Sequence, residues 1–201
     1  MTLMREVIMT KVYFVRHAQP CHGWQDDRTR PLTNEGLADA RRVTAFFRER
    51  QVDAFFCSPY RRSLDTIRGA AALFNREIFC DERLRERVCG AGGNTREMIR
   101  RRWTDKDFRE PNGESIRQVQ ARNVAALMDI LDTHAGQCVV IGTHGTALST
   151  ILHYFDPCFD CDAFFRLLDW MPYVLELDFD GRRLTAVREC FHVEKTYGGI
   201  H

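Results

Sequence analysis

The sequence predicts an α/β fold, a three-layer α/β/α sandwich around a mostly parallel central sheet with an antiparallel edge strand. Three observations lead there. Short, continuously apolar, β-rich runs recur along most of the chain. Amphipathic helical stripes lie between them. Near the end, two strand-like segments flank Asp180-Gly181, a dipeptide suited to a tight hairpin turn.

The elements follow in order. Lys11–Val15 (KVYFV) reads as a buried strand, Asp53–Ser58 (DAFFCS) as a second and Glu77–Cys80 (EIFC) as a shorter third. Cys138–Thr143 (CVVIGT) is the clearest, bounded by Gly136 and Gly145. Strands without polar alternation fit a parallel sheet covered on both faces. Leu37, Ala40, Val43, Phe46 and Phe47 form one helical stripe, with Thr33 as its N-cap. Ile116, Val119, Ala126, Leu127, Ile130 and Leu131 form another. Val174–Phe179 and Arg183–Val187 are the arms of the hairpin.

With 201 residues, 44% of them hydrophobic and 11% aromatic, the chain can bury one substantial core, so a single domain over 1–201 is expected. Twenty-nine Lys and Arg against 28 Asp and Glu leave a formal net charge of +1. That balance gives no case for nucleic acid or a membrane surface as partner. No run approaches the roughly 18 apolar residues of a membrane helix. Met1 to Thr10 contains Glu6 and lacks the apolar core of a secretion signal. The eight cysteines therefore read as reduced thiols of a cytoplasmic protein. Cys57, Cys80 and Cys138 lie in apolar company, as small core residues do. Cys158 and Cys161 have C-x2-C spacing, but no second pair or histidine cluster completes a metal site. No metal or other cofactor is expected.

Chemistry collects where the strands end. Arg16-His17-Ala18 follows the first, Ser58-Pro59-Tyr60-Arg61-Arg62 the second and Thr143-His144-Gly145 the fourth. In open α/β sheets ligands bind beyond the carboxyl ends of strands, where the loops converge. Guanidinium offers a planar fork of donors matched to phosphate oxygens and stays charged. A neutral imidazole is nucleophilic near neutral pH, and a second, protonated one stabilises charge on the transferring group. Gly145 lets the backbone approach an anion at a helix start. Each piece alone has an ordinary structural reading. Their conjunction at three strand ends reads as a phosphate pocket.

The same residues carry a resemblance. VRHAQP, SPYRRSLDT, LRERVCG, GES (113–115) and VVIGTHGTAL resemble, in that order, the signature segments of the histidine phosphatase (phosphoglycerate mutase-like) superfamily. The match runs from residue 12 to about 150. It implies one such domain, phosphatase chemistry and a role for each matched residue. His17 would be the nucleophile and form a phosphohistidine; Arg16, Arg62 and His144 would hold the phosphate; Glu86 would protonate the leaving oxygen and later activate water. Glu86 stands among Arg83, Arg85 and Arg87, where a solvated ion pair is the ordinary reading, so Glu82, Glu97 and Glu114 stay open as alternative acids. Ala18 replaces the commoner Gly of the first signature, Gly23 stands where Asn is frequent, and Thr29 stands where Asp is common. Arg30-Pro-Leu-Thr resembles the small phosphohistidine-phosphatase branch.

Arg100-Arg101-Arg102 with Trp103 reads either as a solvated helix face or as a rim that selects the non-phosphate part of a substrate. The function expected is a metal-independent phosphomonoesterase of the histidine acid phosphatase type. A phosphoglycerate mutase and a phosphoprotein or phosphohistidine phosphatase are the alternatives. The expected partner is a small phosphorylated substrate or a phosphoprotein; the sequence does not specify an oligomeric state.

Overall fold

The computed structural model describes residues 8–196 and Gly198. The first seven residues of the N-terminal segment considered above lie outside the described residues. Six strands form one sheet in the order β3-β2-β4-β1-β5-β6. They are β1 (Met9–Arg16), β2 (Ala54–Cys57), β3 (Ile78–Cys80), β4 (Cys138–Thr143), β5 (Trp170–Asp180) and β6 (Arg183–Glu194). The first four are parallel: β1 pairs β4 from Lys11↔Cys138 to Arg16↔Thr143, and β2 lies between β4 and β3. β5 runs antiparallel to β1 and turns back into β6 through Gly181, whose φ of +58° suits the hairpin.

Helices cover both faces, which is why the strands read as unbroken apolar runs. Val12 and Phe14 of β1, with Val139 and Ile141 of β4, pack on one side. There they meet α3 (Arg96–Thr104), α4 (Ile116–Thr133), α5 (Gly145–Phe155) and α6 (Cys161–Leu167). Tyr13, Val15 and Val140 point the other way, onto α1 (Asn34–Phe47) and α2 (Arg61–Leu73). Local chemistry sets the helix starts. Thr33 Oγ1 accepts from the Gly36 amide at 2.9 Å, and Ser115 and Gln118 form a reciprocal capping box on α4.

Several sequence expectations needed correction. The third strand is an edge, so Phe79 and Cys80 are exposed; Cys80 is not a core thiol. The hairpin arms are longer than their apolar cores, because β5 pairs along all of β1. α6, which no stripe announced, is capped by Asp160 and begins at Cys161. All eight cysteines are free thiols. Among the described residues no helix is long and apolar enough to cross a membrane, and no group of three His, Cys, Asp or Glu side chains is placed to hold a metal ion.

Candidate active site

The carboxyl ends of β1, β2 and β4 are neighbours in the sheet, and the residues that follow them meet at one cavity of about 460 Å³. Arg16, His17, Arg62, Glu86 and Gly145 line it. His17 leaves β1 with its amide bonded to the Thr143 carbonyl at 3.2 Å, so β4 holds it in place. Its Nδ1 lies 2.8 Å from the Ala18 carbonyl. A carbonyl only accepts, so Nδ1 carries the proton and Nε2 keeps its lone pair. Burial, then the charges of Arg62 and Arg16, hold the His17 pKa well below the ordinary imidazole value, so the ring is neutral at physiological pH.

His144 caps α5 and is fully buried, its ring 5.3 Å from those of His17 and Tyr60. Nε2 meets Ser58 Oγ at 2.7 Å, while Nδ1 has no hydrogen-bond partner among the described residues. Burial and then Arg62 disfavour its protonated form. A bound phosphate dianion acts in the opposite direction, favouring the cation.

The two arginines are anchored differently. Arg16 donates Nη1 to the carbonyls of Leu167, Leu168 and Trp170, which ties β1 to the turn between α6 and β5. The start of α5 lies against this guanidinium, where a Cβ on Gly145 would sit 3.4 Å from Arg16 Nε, an ordinary contact. Arg62 donates Nη1 to the Asp27 carbonyl at 2.6 Å and lies over the Tyr60 ring. Arg61, one residue earlier, is exposed and paired with Asp65.

Glu86 occupies the cavity wall with its carboxylate on the first turn of α5. Oε2 accepts from the Thr146 amide at 3.0 Å; Oε1 accepts from those of Ala147 at 3.2 Å and Arg87 at 2.7 Å. The arginines beside it in sequence are engaged elsewhere: Arg83 with Asp81 and Asp129, Arg85 with Glu114, Arg87 with Glu110 and the Glu114 carbonyl. Of the alternative acids, Glu82 pairs with Arg28 on the surface, Glu114 is held by Arg85 and Arg122, and Glu97 is exposed. None of the three lines the cavity.

The basic run on α3 divides. Arg100 and Arg101 are solvated, whereas Arg102 is buried on the cavity wall, bound to Glu110 and Asn94. Sequence reasoning missed three supporting side chains. Asp27 bridges Arg62 and Arg30, Ser58 orients His144, and Thr66 Oγ1 receives the Ala18 amide at 2.9 Å. Ser58 and Thr66 stand inside the SPYRRSLDT segment; nothing in its local sequence marks Asp27. Gly23 faces open space, so the absent Asn leaves room unfilled.

Comparison with known proteins places the chain in a family. The family model of the histidine phosphatase superfamily (branch 1) matches residues 12–188. A Hydrogenobacter thermophilus protein with the provisional name phosphoserine phosphatase 2 is 28% identical over 72% of this chain and 77% of its own. An Enterobacter sp. (strain 638) protein, provisionally named phosphoglycerate mutase GpmB, is 30% identical over 72% of this chain and 74% of its own. Among solved structures, YhfR of Bacillus stearothermophilus superposes with a TM-score of 0.73 at 25% identity, covering 96% of this chain and 98% of that one.

Proposed function

From the premise that the chain belongs to the histidine phosphatase superfamily, branch 1, we propose that it is a cytoplasmic phosphomonoesterase working through a phosphohistidine on His17. The observation that carries the reading is the His17 tautomer: a neutral ring whose Nδ1 is tied to the Ala18 carbonyl and whose Nε2 lone pair remains for attack. Arg16 and Arg62 hold the phosphoryl oxygens, and His144 donates to them from Nδ1. Nε2 of His17 attacks phosphorus as the P–O ester bond breaks, and the leaving oxygen takes a proton from Glu86. Water then attacks the phosphohistidine and gives its proton to Glu86, which restores both residues and releases phosphate.

His17→Ala abolishes turnover while the protein stays folded. Rapid quenching of the unaltered enzyme traps acid-labile, alkali-stable phosphate; phosphate on any other residue rules the mechanism out. Cationic charge in this pocket comes from arginine, so activity persists after prolonged EDTA treatment and dialysis. Recovery of a dead dialysed enzyme by Mg²⁺ or Zn²⁺ is the opposing result. The relative provisionally named a mutase gives a second reading its support. Supplying 3-phosphoglycerate separates them: inorganic phosphate is the phosphatase product, and 2-phosphoglycerate the mutase product.

A further inference from the structure

The cavity is much larger than a phosphoryl group. At about 460 Å³ it falls in the range that holds a medium-sized organic ligand, about 300–1,000 Å³. Ile99, Trp103, Ile116, Phe164 and Leu168 line one part of it, alongside Arg87, Asn94 and Arg102. The five apolar residues belong to the core on the α3–α6 side of the sheet. Trp103 and Phe164 stand with ring centroids 5.7 Å apart. These five side chains are only 2–6% exposed, so the core meets the cavity at their edges.

The cations on this side are committed to protein acceptors. Arg102 donates Nε to Glu110 Oε1 at 2.8 Å, Nη1 to Asn94 Oδ1 at 3.0 Å, and Nη2 to Glu110 and the Gly93 carbonyl. Arg87 gives Nη1 to the Glu114 carbonyl at 2.9 Å and to Glu110 Oε2 at 3.4 Å. These guanidiniums brace the loop between α3 and α4. Withdrawing either one to meet a substrate carboxylate would leave Glu110, itself 5% exposed, short of a partner.

We propose that the alcohol released by this enzyme carries an apolar body that lies against Ile99, Trp103, Ile116, Phe164 and Leu168, in place of a short hydroxycarboxylate. The proposal rests on the phosphatase reading above and adds the substrate class. Primary alkyl phosphates test it, because their leaving groups are chemically alike and differ in apolar length. Full burial of a methylene is worth up to about fourfold in kcat/KM, so hexyl phosphate should exceed propyl phosphate by roughly ten- to sixtyfold. 3-Phenylpropyl phosphate should do at least as well as hexyl phosphate, and 3-phosphoglycerate should fall below both. Trp103→Leu and Ile99→Thr should each shrink the hexyl-to-propyl ratio at least about threefold; if neither variant folds, the wild-type series decides. A flat or falling series overturns the proposal, as does an unaltered ratio in folded variants or a clear preference for 3-phosphoglycerate. Turnover of p-nitrophenyl phosphate with a flat alkyl series removes the substrate class alone. Inactivity toward every one of these esters removes the phosphatase reading with it.

Discussion

Arg62 is 3% exposed and faces the cavity, whereas Arg61 points outward and pairs with Asp65. Successive helical residues diverge by about 100°, so a single register decides which guanidinium serves the pocket. Arg62→Ala should lower kcat/KM by roughly 10²–10³-fold and weaken inhibition by phosphate, while Arg61→Ala stays within about threefold of the parent. Equal losses would show that the α2 register is misassigned. At Glu86 the prediction concerns a proton. Glu86→Gln keeps the shape and removes the acid, so an alkyl phosphate should lose roughly 10²–10⁴-fold. p-Nitrophenolate leaves without a proton, so that substrate should give a burst followed by a slow steady state as phosphoenzyme accumulates. Small, equal losses on both substrates would take Glu86 out of the chemistry.

At the scale of elements, the site depends on how closely β4 approaches β2 and α2. Gly142 is the last residue but one of β4, and a Cβ there would fall 2.5 Å from Cys57 Sγ and 3.0 Å from Ser63 Oγ. Both neighbours are fully buried and cannot move aside freely. Gly142→Ala should therefore destabilise the protein by about 1–3 kcal/mol, read as a lower urea midpoint with an unchanged m-value. The strand ends at Thr143, next to His144, and Ser58, just beyond β2, holds His144. Displacement of β4 should thus reduce kcat as well. A variant with parental stability and activity would mean that the strands have slack.

On the scale of the whole molecule, His17 and His144 couple stability to pH. Both are buried with depressed pKa values, so the folded protein does not take up the protons that the unfolded chain binds below about pH 6.5. Where the unfolded state binds more protons, stability falls as pH falls. The slope approaches about 1.4 kcal/mol per pH unit for each histidine. The loss sets in as pH falls through about 6.5, where the unfolded histidines begin to take up protons. Lower still, carboxylates join in, such as Glu176, where hydrogen bonds from Lys11, Tyr13 and Arg188 outweigh burial and bring the pKa to about 2. Denaturant midpoints at pH 7.0, 6.0 and 5.0 should fall progressively, and His17→Phe should flatten the profile. Inorganic phosphate, bound only by the folded state, should raise the midpoint at each pH. A profile level down to pH 5 would contradict the neutral, buried state of the two rings.

The sequence by itself determined much of this protein. Apolar runs located β1, β2 and β4 because parallel strands covered on both faces leave no alternation to interpret. Thr33 and Asp180-Gly181 marked a helix start and a hairpin through local chemistry alone. Arg16, His17, Arg62, Glu86 and His144 were legible as candidates because strand ends and short signature segments single them out. What only the tertiary structure decided depends on contacts between segments far apart in the chain. Asp27 meets Arg62 across 35 positions, and Arg16 reaches the Leu168 carbonyl across 152. Three adjacent arginines on α3 gave no hint that Arg102 alone would turn inward, since a helix face acquires its environment only when Glu110 and Asn94 pack against it. Glu86 escapes its arginine neighbours for the same reason: charge adjacent in sequence is neutralised by whichever carboxylate folding brings within reach.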